Sequence, residues 1–224
     1  MTELNSLLHP GINHEHPIYN GEMDKICEIL QGEFGTTDYN NETPVLATVG
    51  IGPCLGIAGY EKDKKIGFLG HFDNGEHMNE TLSRIYYAIG SNTLGEKSKF
   101  DLTILRGYDY TGNESTKTLD YLKRFFDAMK NHSMEFNIIH EDLGPNFGRI
   151  NSAEDRFEER EKLTKTLLID SRDGKIYRYD ITKNPYTLSN RFQNSNNLEE
   201  KTMIINRVNL AFNCIAKPIN LIIN

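Results

Sequence analysis

The sequence contains no run of about eighteen apolar residues, so no stretch of it reads as a membrane-spanning helix. It has no excess of basic charge either. Its 25 lysines and arginines face 32 aspartates and glutamates, a net charge of −7, which leaves no basic footprint for nucleic acid. Cysteine is scarce. Cys27, Cys54 and Cys214 are too few and too scattered for a disulfide framework or a zinc ribbon. The opening residues, MTELNSLLHPGINHEHP, lack a basic region followed by an apolar core, so no secretory signal peptide is expected and the cytoplasm is the default location.

What is present suits one globular domain with a sizeable core: 224 residues, 38% hydrophobic and 25% charged. Residues 1–20 read as an irregular lead-in. Met23, Ile26, Cys27 and Leu30 recur at helical spacing and predict a helix over 21–33, with TTDYNNET (36–43) as a loop after it. PVLATVGI (44–51) predicts a strand. Two apolar runs, 54–60 and 65–72, flank the polar EKDKK and predict a hairpin. Helices are expected over 76–89, from Ser115 onward, and over 199–216; strands are expected at FDLTILRGY, MEFNIIHED and PINLIIN. Tyr86, Tyr87, Phe125 and Phe126 sit at helical spacing and are expected in the core. Asp173-Gly174 between apolar runs marks a second hairpin. The charged stretch within 144–163 reads as an insertion, with a short helix capped by Ser152. Strands and helices are mixed and hairpins recur, so the class is α+β.

The chemistry concentrates in ATVGIGPCLGIAGYEKDKKIGFLGHFDNGEH, residues 47–77. A hairpin loop of Lys62-Asp63, or of Glu61 to Lys64, pairs Tyr60 with Lys65 and so places Cys54 directly opposite His71. Opposed residues share a face with Cβ atoms ~5 Å apart. An imidazole at that distance can take the proton of a thiol whose ordinary pKa lies near ~8.5 and return it to a leaving group. Thr48 shares the parity of Cys54 along a straight strand. Backbone N–H groups around Gly52, Cys54 and Leu55 are candidates for holding an oxyanion, and Pro53 has none to offer.

These residues resemble a known family. TVGIGPCLGIAGYEKDKKIGFLGH, with Thr48, Cys54 and His71 on the Thr, Cys and His of its motif, is similar to the CheD-type chemoreceptor glutamine deamidases. More distantly it resembles cysteine deamidase toxins of the cytotoxic necrotising factor type. The resemblance covers about thirty residues. It implies packed mixed sheets with flanking helices in an α/β/β/α sandwich. It also implies a Cys54–His71–Thr48 triad that hydrolyses a glutamine side chain of a protein substrate through a thioester, without cofactor or metal. A diverged relative of this kind would work in the cytoplasm or be exported as a bacterial effector by a route that needs no signal peptide.

Two other readings compete. HFDNGEH offers His71, Asp73, Glu76 and His77, and the N-terminal region offers His9, His14 and His16, donors of the type found in hydrolytic zinc sites. Alternatively the scaffold binds a protein partner without catalysis, a reading favoured by Pro53 beside the cysteine.

Overall fold

The structure is a computed structural model, and it describes residues 12–13, 25–72, 77–110, 114–148, 165–178 and 220–223. Its strands and helices are β1 (Ile12–Asn13), β2 (Ile26–Glu28), β3 (Glu33–Asp38), β4 (Val45–Ile51), β5 (Leu55–Glu61), β6 (Ile66–Phe72), α1 (Met78–Thr93), β7 (Ser98–Leu105), α2 (Glu114–Met129), β8 (Met134–Asp142), β9 (Lys165–Asp170), β10 (Lys175–Arg178) and β11 (Asn220–Ile223).

The strands form two mixed sheets. One has five strands in the order β1-β10-β9-β4-β2, the other six in the order β11-β3-β6-β5-β7-β8. The class is therefore α+β, with two packed sheets and two helices among the described residues. The alternation of each strand sorts its residues between two cores. Leu46 of β4, Ala58 of β5, Leu69 of β6 and Leu167 and Ile169 of β9 meet between the sheets. Phe34, Leu55, Ile57, Phe68 and Phe100 project from the opposite face of the six-stranded sheet, against Met78, Ile85 and Ile89 of α1 and Leu119, Leu122 and Phe126 of α2. Those spacings put each helix's apolar residues on one stripe, which is why both lie flat on that face. Val45, Ala47 and Leu168, on the far face of the five-stranded sheet, are also fully buried.

Several sequence expectations meet their elements. PVLATVGI carries β4, the strand expected around FDLTILRGY is β7, MEFNIIHED coincides with β8, and NLII of PINLIIN forms β11, parallel to β3. Asp173-Gly174 lies in the β9–β10 hairpin. Its loop is four residues, 171–174, because Lys175 pairs with Asp170. Gly174 takes φ +69 there, and its N–H donates to the Asp170 carbonyl at 2.8 Å.

Other expectations are corrected. The described part of 21–33 contains no α-helix. Ile26–Glu28 is a strand parallel to β4, and Thr36–Asp38, expected in a loop, ends β3. Gly32, at φ +74, and the Glu33 carboxylate, which accepts the Leu30 N–H at 2.8 Å, turn the chain between two strands instead. Four apolar residues within eight fit a helical stripe, but pairing to β4 and β6 outweighs that local preference. Phe126 is buried, whereas Tyr86 and Tyr87 are exposed, on the side of α1 away from the sheet. Ser152, the rest of the insertion beyond residue 148, Cys214 and the helix expected over 199–216 lie outside the described residues, as does Met23. No helix among the described residues is long and apolar enough to cross a membrane.

Candidate active site

The site sits between the sheets at the point where the chain passes from one to the other. β4 belongs to the five-stranded sheet and β5 to the six-stranded one, so residues 51–55 cross the gap. The crossing is tight. Gly50 has φ +77, and the Gly52 N–H donates back to the Gly50 carbonyl at 2.8 Å, a three-residue turn. Cys54 lies just before β5 and is buried, with 8% of its surface exposed.

Thr48 and His71 approach from opposite sheets. Thr48 shares the inward parity of Leu46 on β4, and His71 shares that of Leu69 on β6. Thr48 Oγ1 lies 2.8 Å from His71 Nδ1, both groups being buried. This contact ties the sheets together and fixes the imidazole's orientation. The ring's other nitrogen, Nε2, is buried with no hydrogen-bond partner among the described residues. Leaving such an atom unpaired costs about 1–3 kcal/mol. Burial pushes the His71 imidazole down from its ordinary 6.5 to about 4, so the ring is neutral at physiological pH.

The register between Cys54 and His71 differs from the expected one. Glu61 pairs with Ile66 around the loop Lys62–Lys65, and the residue directly opposite His71 is Gly56, not Cys54. The loop has slid by one residue. Lys65 adopts a left-handed φ of 55, and the Glu61 carboxylate accepts the Lys64 N–H, which closes the turn one step later than expected. The slide moves the partner by two residues, so the parity within β5 is kept, and that alternation carried one step before Leu55 puts Cys54 on the His71 side. The space over Gly56 is taken by Ile51. A Cβ there would overlap the Ile51 side chain, which fills the position.

A further residue borders the site. Glu33 of β3 pairs with His71 from the other side, so the two share the interior face, and Glu33 is fully buried. The sequence concealed it because 21–33 looked helical; the only signal was the Phe34/Thr36 alternation beside it. Among the candidate oxyanion donors, the Gly52 N–H is already given to Gly50, which removes it from that role.

For the metal reading, no group of three or more His, Cys, Asp or Glu side chains gathers into a metal site among the described residues. His77 is described, at the start of α1, whereas Asp73, Glu76, His9, His14 and His16 lie outside the described residues. No protein-family model matches the chain, and no curated protein matches it significantly.

Proposed function

We propose that this chain is a cysteine-dependent deamidase of the CheD type that converts a glutamine side chain of a protein substrate to glutamate. The observation that carries the reading is His71, with Nδ1 held by Thr48 at 2.8 Å and Nε2 buried without a partner among the described residues; the alternation of β5, carried one residue back to Cys54, supports a thiol on the same side. A neutral imidazole with one nitrogen oriented and the other unoccupied is the form a general base needs.

In the proposed cycle, His71 Nδ1–H donates to the Thr48 oxygen, and Nε2 accepts the Cys54 proton as the sulfur attacks the carboxamide carbon. The C–S bond forms and the carbonyl oxygen takes up the electron pair. The N–H groups of Cys54 and Leu55 stabilise that oxyanion. When the tetrahedral intermediate collapses, the C–N bond breaks and His71 passes its proton to the departing nitrogen, releasing ammonia. Water, deprotonated by His71, then cleaves the thioester to give glutamate and the free thiol. An amine in place of water would yield a crosslink. The resting pair is a thiol and a neutral imidazole, because burial of His71 disfavours a standing thiolate–imidazolium pair.

The reading includes a single catalytic domain without a cofactor, acting in the cytoplasm or as an exported effector. The test is mass spectrometry of a glutamine-bearing peptide library after incubation with the protein. Glutamine-to-glutamate conversion is expected, and it is lost in Cys54→Ser and in His71→Ala. Conversion that persists in either variant overturns the proposal. A binding module without catalysis would show no conversion and an inert Cys54.

A further inference from the structure

Beyond the triad, the crossing turn is gripped from outside by the segment that follows β7. The Gly52 carbonyl accepts two backbone N–H groups, from Gly107 at 2.9 Å and Tyr108 at 3.3 Å. The Tyr108 ring lies against Gly52, where an added Cβ would come within 3.3 Å of it. Tyr108 in turn meets Phe147 edge-on, with centroids 5.9 Å apart. The grip begins two residues after Leu105, which ends a transverse row through the site: Leu105, Gly56, His71 and Glu33 pair successively across β7, β5, β6 and β3.

Residues 106–110 are themselves anchored by one buried guanidinium. Arg106 is 5% exposed. Its Nη2 pairs with Asp109 Oδ2 at 2.9 Å, its Nη1 donates to Thr116 Oγ1 at 3.0 Å and Ser115 Oγ at 3.4 Å, and its Nε donates to the Leu143 carbonyl at 3.2 Å. Asp109 closes the far end: its N–H donates to the Pro145 carbonyl at 2.8 Å, and its own carbonyl accepts the Phe147 N–H at 2.9 Å. One side chain thus fastens the segment to the first turn of α2 and to the end of β8. The planar fork matters, because its donors leave from three nitrogens in fixed directions and reach Asp109, the first turn of α2 and the Leu143 carbonyl together, a geometry that a lysine's single nitrogen does not reproduce.

We propose that Arg106 is a positioning residue for Cys54, acting through a strap of residues 106–110 that clamps the Gly52 carbonyl and so sets where the sulfur sits relative to His71. This rests on the deamidase reading of Cys54. A buried arginine is expensive to desolvate, and all three of its nitrogens are engaged in fixing one short segment to its neighbours. The segment's main-chain output is the pair of N–H groups on Gly52, two residues before the nucleophile. Small misplacements of a reacting atom carry large rate penalties, so a clamp at that point acts on the reaction rather than on stability alone.

The experiment uses the full chain and iodoacetamide, a small primary carboxamide that reports thiol attack. Alkylation of Cys54 and of half-buried Cys27 is followed separately by peptide mass spectrometry, so that Cys27 serves as the internal control for general loosening. In the wild type at about pH 6, well below an ordinary thiol pKa of ~8.5, Cys54 reacts faster than Cys27 because His71 acts as its base. In Arg106→Lys the Cys54-to-Cys27 rate ratio falls at least about tenfold at that pH. The deficit shrinks near about pH 9, where the thiol ionises without a base. Asp109→Asn, which keeps the side chain's shape, moves the ratio in the same direction and covers the case in which Arg106→Lys does not fold. A fast wild-type Cys54 whose ratio is unchanged in the folded variants overturns the strap and leaves the deamidase reading standing. A wild-type Cys54 no faster than Cys27 at about pH 6 overturns the reading on which the strap rests.

Discussion

Thr48 Oγ1 and His71 Nδ1 are 2.8 Å apart and come from different sheets, so one hydrogen bond both orients the imidazole and bridges the sandwich. Removing it separates two effects. Thr48→Val keeps the shape and loses the hydroxyl, which strands Nδ1 in the interior and costs about 1–3 kcal/mol of stability. Thr48→Ser restores the oxygen. Cys54 alkylation at neutral pH is expected to drop in Thr48→Val by roughly 10–100-fold, the scale of a lost supporting partner at a reactive site, and to recover in Thr48→Ser. Equal reactivity in the two variants would show that Thr48 is only a strand residue.

Burial of His71 makes stability depend on pH in a definite direction. The folded ring protonates at about 4 and the unfolded one at 6.5. Between those values the unfolded chain binds a proton that the folded chain refuses. Stability fully present above pH 6.5 is therefore lost as pH falls towards 4, by up to about 3 kcal/mol from this group. Urea unfolding at the two ends of that window should show the wild type losing about that much more than His71→Gln, since the carboxylates titrate alike in both. Parallel losses would contradict the burial argument.

Gly56 faces His71 across the hairpin and has no room for a methyl group. Gly56→Ala drives a Cβ into Ile51, whose side chain occupies the interior of the crossing. The expected cost is about 1–3 kcal/mol, read as a lower melting temperature, with a loss of Cys54 reactivity larger than the loss of stability accounts for. A variant as stable and as reactive as the wild type would mean that the crossing relaxes freely.

Leu94, which ends α1, offers a stabilising change remote from the site. It holds a left-handed φ of 55 while its side chain is 85% exposed, so it bears the backbone penalty with little packing in return. Leu94→Gly is expected to raise stability by about 1 kcal/mol and to leave Cys54 alkylation unchanged. A fall in melting temperature would show that the exposed leucine has a contact worth more than the strain.

The sequence by itself determined the elements whose signal is local. The alternation of PVLATVGI and MEFNIIHED, the Asp-Gly turn and the apolar stripes of the two helices each depend on a few adjacent residues, and each formed as those residues dictate. The expected loop slid by one residue, which moves each partner along β5 by two and so keeps the parity of its pairs with β6, because strand alternation has a period of two. Tertiary structure decided the rest. Ile26 and Cys27 became a strand because β4 offered pairing partners that a local helical stripe could not match. His71 found Thr48, twenty-three residues away, because the chain crosses between sheets at Gly50–Cys54, and it gained Glu33 because β3 chose β6 as its neighbour. The grip of Gly107 and Tyr108 on Gly52 was equally invisible in sequence. Backbone hydrogen bonds between segments about fifty residues apart leave no mark on residue type, and only the packed fold brings them together.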